Sequence, residues 1–495
     1  MRLQILAGSA FTAILAQSLQ AQYAPPPPTR PFPGFINEWL RKDDPYMAAW
    51  DIGGSVRMRY EIKENGGATG AGSAGDFRAN GVDNDNSYLM SRIRARLGYT
   101  GKWFNVLVEG RSSSTTGDDR APGAGPESDG IVDLHQAYLT LGNHKEFPVS
   151  VKIGRQELSY GDERIIGAFA WNNVGRVFDL AKVRWQNPWF AADFFSGRVV
   201  IPDDNNFNVP NDYDYFSGIY ASTKKIPKHL TEFYLLSRNT SGSAATANGA
   251  GTRTPAPYNP SPRDIYTIGM RLKSATNELG NWDYTAEIMG QFGHFNDGRL
   301  PVGSRSLEQR AYAIAVNAGY TFKDTFGSPR LAFEYAEGSG DDNPNDGIHG
   351  TFENLFPTNH KFYGYMDFFS LENIRDLRGI FQIRPMSRLS LALEGHAFLL
   401  ANDRDNLYNV GGAPRGGLGN PGGGAGTGYG INTGYSKYVG TEIDLIGGFA
   451  VNHFTQLEAG YGHFIRGDYV KSTFSNAAFG SKDADYIYTQ LTLNW

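Results

Sequence analysis

The amino-acid sequence predicts an all-β fold, a single closed antiparallel transmembrane β-barrel with about eighteen strands. Three observations lead to this prediction. Apolar and polar residues alternate with a period of two in segment after segment, the connections between the segments are alternately long and short, and the last segment ends at Trp495. Since a bilayer offers no hydrogen-bond partner to an open sheet edge, strands can cross it only in a closed barrel.

The period of two is clear in the first segment, 50–63. Val56 and Met58 lie on one face of an extended chain, whereas Arg57 and Arg59 lie on the other. A helix would mix these two sets, and a strand separates them. Segments with this pattern have the length of tilted transmembrane strands, about 9–14 residues in most cases. They lie near 50–63, 87–99, 102–111, 131–141, 148–156, 177–186, 188–199, 214–223, 230–239, 264–274, 281–293, 309–323, 328–338, 372–385, 387–400, 439–450, 454–464 and 484–495.

The connections support the same fold. The connections after odd-numbered segments are long. The connections after even-numbered segments are short, for example those at Gly101, Asn187 and Met386. Long external loops and short periplasmic turns are typical of outer-membrane barrels, and an even number of strands places both termini in the periplasm. The long loop 157–176 could fold into the lumen and narrow it.

The residues before the barrel have two other predicted roles. Residues 1–21 read as a signal peptide, because Arg2 is followed by an apolar stretch and by small residues near Ala21. Residues 22–49 form a Pro-rich periplasmic leader that is extended at first and then makes a helical turn at the base of the barrel. The barrel itself spans 50–495. No later segment has the ~20 apolar residues of a spanning helix.

Composition excludes several classes of protein. A net charge of −5 and a pI of about 6.0 argue against a nucleic-acid partner. The absence of cysteine excludes disulfides and cysteine-based zinc sites, and no cofactor is predicted. The predicted partners are outer-membrane lipid and the barrel-assembly machinery, since a final strand that ends in an aromatic residue resembles the signal read by that machinery.

Six stretches resemble the alginate-export family of outer-membrane porins. They are DLHQAYLTLG (133–142), VKIGRQELSYGDERIIG (151–167), WNNVGRVFDLAKVRW (171–185), GSGDDNPNDGIHGTFENLFPTNHKFYGYMDFF (338–369), GTEIDLIGGFAVN (440–452) and LEAGYGHFIRGDYV (457–470). The residues assigned to the family signature are Asp133, Gln136, Tyr138, Gly154, Arg155, Gln156, Arg176, Phe178 and Asp179. The resemblance implies an eighteen-stranded barrel in the outer membrane that passes an anionic polysaccharide such as alginate, or anionic oligosaccharides, through an Arg-rich lumen.

Strand parity identifies candidate residues of the lumen. The predicted pore-lining residues are Arg57, Arg59, Arg92, Arg94, Arg96, Arg184, Arg378, Arg384, Glu442 and Asp444. Like charges opposite each other destabilise a sheet, so the first two strands need carboxylates or a passing anion beside their arginines. Arginine suits carboxylates because its planar fork binds them bidentately, and we therefore expect anion selectivity. The alternative is that inward carboxylates such as Glu109 and Glu394 pair with these arginines and simply hold the wall together. Arg155 lies off the expected parity, so a bulge or a strand end is expected there.

Two other functions stay open at this point. One is a plugged barrel that acts as an adhesin or scaffold, and the other is an outer-membrane enzyme. Catalytic residues and a metal site are not predicted, because Ser159 and Ser222 lack a GxSxG context. The acidic loop 341–347 resembles a calcium loop, but its glycine is one position late, and turn chemistry explains it equally well. The sequence does not distinguish export from uptake.

Overall fold

The computed structural model describes residues 33–66, 85–119, 129–200, 214–240, 263–275, 277–296, 306–343, 345–412, 414, 431–473 and 482–495. The predicted signal peptide 1–21 and the first part of the leader, 22–32, lie outside the described residues. The described part of the chain begins just before the helix α1, Phe35–Asp43.

Eighteen barrel strands occur in the described residues, and each corresponds to one predicted segment. They are β1 (Trp50–Glu64), β2 (Asn86–Thr100), β3 (Phe104–Thr116), β4 (Asp129–Leu141), β5 (Val149–Gln156), β6 (Phe178–Gln186), β7 (Phe190–Val199), β8 (Asp214–Thr223), β9 (His229–Thr240), β10 (Arg263–Ser274), β11 (Trp282–Asn296), β12 (Ser306–Thr321), β13 (Arg330–Gly338), β14 (Ile374–Met386), β15 (Leu389–Leu400), β16 (Tyr438–Ala450), β17 (Thr455–Arg466) and β18 (Ala484–Asn494). The predicted fold class is therefore confirmed.

The barrel closes between its first and last strands. Every strand pairs with the next one in antiparallel register, and β1 pairs with β18 from Ser55 opposite Asn494 to Glu64 opposite Asp485. A two-residue segment, Ile348–His349, adds in parallel to β12 within an external loop. Closure leaves every strand with two neighbours, which is the condition for backbone in a bilayer.

The outward face is apolar and carries aromatic residues near the short turns. Large apolar side chains such as Met58 and Ile93 are exposed on this face. Trp50 contacts Tyr99 with ring centroids 5.1 Å apart, and Trp282 contacts Tyr320 at 4.9 Å. Aromatic residues favour the interface between hydrocarbon and water, so this band marks the periplasmic edge of the membrane.

The helix α1 lies under the seam between β1 and β18. Its Asn37 side chain donates to Asp51 at 2.8 Å and accepts from the backbone N–H of Ile52 at 2.7 Å. Phe35 packs edge-on against Phe454 in a periplasmic turn. The helical turn expected at the base of the barrel is thus a nine-residue helix. No helix among the described residues is both long and apolar enough to cross a membrane.

Two external loops fold into the barrel and pack against its inner wall. We call residues 157–177 the first inward loop and residues 339–373 the second inward loop. Their backbones join where Gly167 N–H donates to Phe356 at 2.8 Å and Phe356 N–H donates to Ile165 at 2.9 Å. Apolar residues of both loops pack in one buried cluster with inward side chains of the wall, among them Phe178. The inward folding expected of loop 157–176 is present. After β17 a short helix α2, Asp468–Thr473, packs on the rim.

Candidate functional site

One wall of the lumen, formed by β1–β3, is strongly basic. These three strands direct seven cations and three carboxylates inward. The cations are Arg57, Arg59, Lys63, Arg92, Arg94, Arg96 and Arg111, and the carboxylates are Asp51, Glu61 and Glu109. We call this surface the basic wall. The arginines predicted on β1 and β2 face inward. Their apolar neighbours along each strand occupy the outward face, and successive side chains of a strand point to opposite faces.

The basic wall binds the backbone of the first inward loop. Arg57 donates through Nη1 to the carbonyl of Ala170 at 2.8 Å and through Nη2 to the carbonyl of Asn172 at 3.1 Å. Arg92 reaches the same two carbonyls at 3.1 and 3.2 Å. Arg111 donates to the carbonyl of Val174 at 3.0 Å. The segment 168–176, which we call the strap, therefore lies across the basic wall and covers it.

Arg59 joins the strap through both its charge and its flat face. Its Nη1 donates to the carbonyl of Trp171 at 2.8 Å, and its guanidinium lies 3.8 Å from the centroid of the Trp171 ring. Arg59 also pairs with Glu61, with Nε and Oε1 2.7 Å apart. Beneath the strap Arg57 and Arg59 are only 4% and 2% exposed. A solute in the lumen therefore reaches them only if the strap moves.

Arg94 and Arg96 pair with carboxylates. Arg96 binds Glu109 at 2.6 Å, and Arg94 binds Glu157 of the first inward loop at 3.1 Å. Burial alone would raise the pKa of Glu157, but its hydrogen bond from His135 and the nearby Arg94 guanidinium lower the pKa well below its ordinary value. Glu157 is thus an anion at neutral pH and balances part of the charge of the basic wall.

Neither Arg111 nor the contacts of the strap with β1–β3 were predicted from the sequence. Parity places Arg111 inward on β3, beside the arginines of β2, and this signal was available in the sequence. The position of the strap was not available, because its partners on β1 lie more than 100 residues away along the chain.

The strands β14–β17 form an acidic wall that holds the second inward loop. They direct five carboxylates and three arginines inward. Glu442 accepts from the backbone N–H of Met366 at 2.9 Å, and Asp444 lies beside it, with both side chains fully buried. Arg378 pairs with Glu394 and donates to the carbonyl of Lys361 at 3.2 Å. The basic wall thus binds loop carbonyls, whereas the acidic wall binds a loop N–H through Glu442 and a loop carbonyl through Arg378.

Arg184 lies on β6, apart from these walls, and Arg384 lies at the end of β14 in the acidic wall, so both are near the short turns. Arg184 binds Asp193 at 2.9 Å, and its side chain is 37% exposed. Arg384 is half-buried and has no ion pair with any residue that the structure describes. The ten predicted pore-lining residues therefore divide into a group packed against the inward loops and a pair near the periplasmic mouth. Their contact with a passing anion stays a prediction.

Several signature residues support the first inward loop. Gln136 accepts from the backbone N–H of Glu157 at 3.2 Å. Arg176 donates to the carbonyl of Pro357 at 2.8 Å and so ties the two inward loops together. The ring of Phe178 packs edge-on against Phe356 at 5.3 Å.

The other signature residues lie in β4–β6. Arg155 makes a bidentate pair with Asp179, with both N–O distances 2.8 Å. Gly154 has a φ of +122°, and a Cβ there would lie 2.2 Å from the carbonyl oxygen of Ala137, so only glycine fits before Arg155. Asp133 forms an ion pair with Arg111 at 3.7 Å, and the ring of Tyr138 contacts the ammonium group of Lys152. Gln156 donates to the carbonyl of Leu180 at 3.3 Å.

The acidic loop 341–347 uses its side chains in turns. Asp341 accepts from the N–H of Asn343 at 3.0 Å, and Asp346 accepts from the N–H of Ile348 at 2.9 Å. In the described ranges, which omit residue 344, no group of three or more His, Asp or Glu side chains is arranged to hold a metal ion.

The comparisons with known proteins agree with this architecture. The barrel is similar to the crystal structure of Acinetobacter baumannii OccAB4, with a TM-score of 0.53, 9% identity, and coverage of 90% of this chain and 98% of that one. It is similar to the crystal structure of Pseudomonas aeruginosa OccK3 (OpdO), with a TM-score of 0.52, 11% identity, and coverage of 90% of this chain and 96% of that one. It is also similar to the crystal structure of Pseudomonas aeruginosa OpdK with vanillate, with a TM-score of 0.51, 11% identity, and coverage of 90% of this chain and 99% of that one.

These identities are low, so the likeness concerns the fold alone. No curated protein matches the sequence. The model of the family described as alginate export matches residues 49–479, which is nearly the whole barrel. Together with the closed eighteen-stranded fold, this match places the protein in the outer membrane as a porin-type barrel, and the chain belongs to the alginate export family.

Proposed function

We propose that this porin passes saccharides that carry carboxylates, either an alginate-like polysaccharide or its anionic fragments, along the basic wall. One observation carries the proposal. The guanidinium groups of Arg57 and Arg92 donate to neutral backbone carbonyls of the strap. These carbonyl oxygens occupy the positions that the carboxylate oxygens of a substrate would take.

The exchange of strap for substrate is favourable in its electrostatics. The bonds from Arg57 and Arg92 to the carbonyls are already charge-assisted, but a carboxylate brings a full negative charge and can bind the planar guanidinium bidentately, which a single carbonyl cannot do. A carboxylate that meets Arg57 or Arg92 therefore gains more than the carbonyl it displaces. The low-dielectric walls of a narrow channel also concentrate the field of clustered cations and raise the local concentration of anions.

The test is ion selectivity across a salt gradient in planar bilayers. We expect the native protein to prefer anions and the double variant Arg92→Glu/Arg94→Glu to lose that preference. The matched control is Lys224→Glu/Lys225→Glu, which makes the same change of charge in an exposed periplasmic turn. Two results would show that the arginines only stabilise the barrel wall. One is cation preference in the native protein, and the other is equal selectivity of the native and Arg92→Glu/Arg94→Glu proteins.

The packing of the two inward loops inside the barrel favours a second candidate, a plugged barrel that serves as an adhesin or scaffold. The two inward loops pack with the wall in one buried cluster. Bilayer recordings separate the candidates, because a porin conducts with all its loops intact, whereas a permanently plugged scaffold gives no single-channel conductance. An enzyme would instead show an activity that one point mutation in the lumen abolishes while the barrel remains closed.

A further inference from the structure

We propose that the two inward loops form one gate, so that a movement of the strap away from the basic wall also releases the second inward loop from the acidic wall. The inference goes beyond the proposed function, because it concerns how the lumen opens and not which solute passes. It rests on two sets of contacts. One set joins the loops to each other, and the other joins each loop to its own wall.

The backbones of the two loops are hydrogen-bonded to each other. Phe356 accepts from the N–H of Gly167 at 2.8 Å and donates to the carbonyl of Ile165 at 2.9 Å. The N–H of Thr358 donates to the carbonyl of Glu163, also at 2.9 Å. All five residues are buried. Separation of the loops would leave these backbone groups without their partners, which is costly for buried donors and acceptors.

Side chains extend the contact between the loops. Arg164 donates to the hydroxyl of Tyr363 at 2.9 Å, and its guanidinium lies 3.9 Å from the centroid of the Phe362 ring. Lys361 pairs with Glu163, with Nζ and Oε2 2.5 Å apart. The two loops therefore share buried hydrogen bonds, a cation–π contact and an ion pair, so each restricts the movement of the other.

The strap takes part in the same contact. Trp171 stacks on His360, with ring centroids 3.8 Å apart, and Arg176 donates to the carbonyl of Pro357 at 2.8 Å. Both residues belong to the segment that covers the basic wall. The strap cannot leave that wall without moving residues 357–360 or breaking these contacts.

Each loop is held to its own wall by separate contacts. Arg57 and Arg92 hold the strap through its carbonyls. On the acidic wall, Glu442 accepts from the N–H of Met366, and Phe369 of the second inward loop packs on Phe398 of β15 with ring centroids 4.5 Å apart. Without the contact between them, the loops would open independently. With it, a change that loosens one loop must loosen the other, and the coupling is reciprocal.

The experiment is thiol labelling of the purified full-length protein, which contains no cysteine of its own. Ser113→Cys reports on the strap, because Ser113 is 1% exposed and donates to the carbonyl of Asn173 at 2.8 Å. Ser370→Cys reports on the second inward loop, because Ser370 is also 1% exposed. The labelling rate of a buried thiol follows the fraction of molecules in which its cover is open.

One added methyl group loosens each loop in turn. Gly364 has a φ of +87°, and a Cβ there would lie 2.4 Å from Oε1 of Glu442, so Gly364→Ala loosens the second inward loop. Gly175 in the strap has a φ of +82°, and a Cβ there would lie 3.1 Å from Nη2 of Arg94. We expect Gly364→Ala and Gly175→Ala each to accelerate the labelling of both reporters at least about fivefold, the lower end of the coupling between linked sites.

Gly379→Ala is the matched control, because a Cβ at Gly379 meets nothing within 4 Å, and it should change neither rate. Gel mobility before and after heating identifies the closed barrel in every variant. If Gly364→Ala accelerates only Ser370→Cys and Gly175→Ala accelerates only Ser113→Cys, the loops open separately and the single gate is overturned. Equally slow labelling in all variants would show a fixed plug and would overturn it as well. Ion selectivity enters none of these outcomes, so the proposed function is tested separately.

Discussion

Arg59 and Trp171 connect the barrel wall to the strap across a distance of 3.8 Å between the guanidinium carbon and the ring centroid. The opposite face of the indole stacks on His360 of the second inward loop, with ring centroids 3.8 Å apart. Trp171 is therefore held between a cation of the wall and a ring of the other loop. This arrangement makes Trp171 the residue at which both inward loops and the basic wall meet.

We expect Trp171→Ala to loosen the strap. A desolvated cation–π contact contributes about 2 kcal/mol, and the stacked imidazole loses its partner as well. The mean single-channel conductance should rise, and openings should become more frequent. Trp189→Ala is the matched control, because Trp189 is an exposed tryptophan in a periplasmic turn. Equal conductance of Trp171→Ala and the native protein would mean that the strap is held without this contact.

The docking of the second inward loop should depend on pH through Glu372. Burial, together with the nearby charge of Glu353, raises the pKa of Glu372 from 4.5 to about 8. The docked loop therefore binds the proton more tightly than the undocked loop does, and each unit of pKa difference corresponds to about 1.4 kcal/mol. The contribution is complete below pH 4.5 and is lost as the pH rises to about 8.

Protease cleavage within 339–373 measures this dependence. We expect cleavage to accelerate between pH 5 and pH 8 more steeply than the protease's own pH profile explains, and Glu372→Gln should remove the excess. Glu278→Gln, a change at an exposed turn residue, should keep it. A native protein whose loop is equally protected at both pH values would contradict the role of Glu372.

The closure of the barrel should depend on the packing of Trp495 against Gly54. The two residues exchange backbone hydrogen bonds of 3.0 and 2.9 Å, and a Cβ at Gly54 would lie 2.0 Å from the carbonyl oxygen of Arg94 and 2.6 Å from the indole of Trp495. Overpacking of this kind costs about 1–3 kcal/mol. We therefore expect Gly54→Leu to lower the free energy of unfolding by that amount and to slow closure. Denaturant unfolding followed by gel mobility measures the change.

The control for this prediction is Gly379→Leu. Gly379 is also on a strand, on the outward face, but a Cβ there meets nothing within 4 Å. Its substitution should leave stability unchanged or slightly raised. If both leucine variants unfold alike, the seam tolerates a side chain at Gly54, and close packing there against Trp495 and the Arg94 carbonyl does not limit stability.

The alternation of residues along the chain determined the strands and their directions. Successive side chains of a strand point to opposite faces, so the local sequence is enough to identify which face of each strand contacts lipid. For this reason all eighteen segments and the inward direction of Arg57 and Arg92 could be predicted. The same local rule gave the long and short connections.

Only the tertiary structure decided what the inward residues contact. Arg57 meets Ala170, which is 113 residues away, and Arg164 of one loop meets Tyr363 of the other, which is 199 residues away. Such contacts depend on the path of the loops through the lumen, and no periodic pattern encodes that path. The sequence alone therefore determined a barrel with arginines on its inner face. The packing of two loops against oppositely charged walls decided that most of these arginines hold backbone carbonyls or carboxylates, because a buried donor must find whichever acceptor the fold brings within reach.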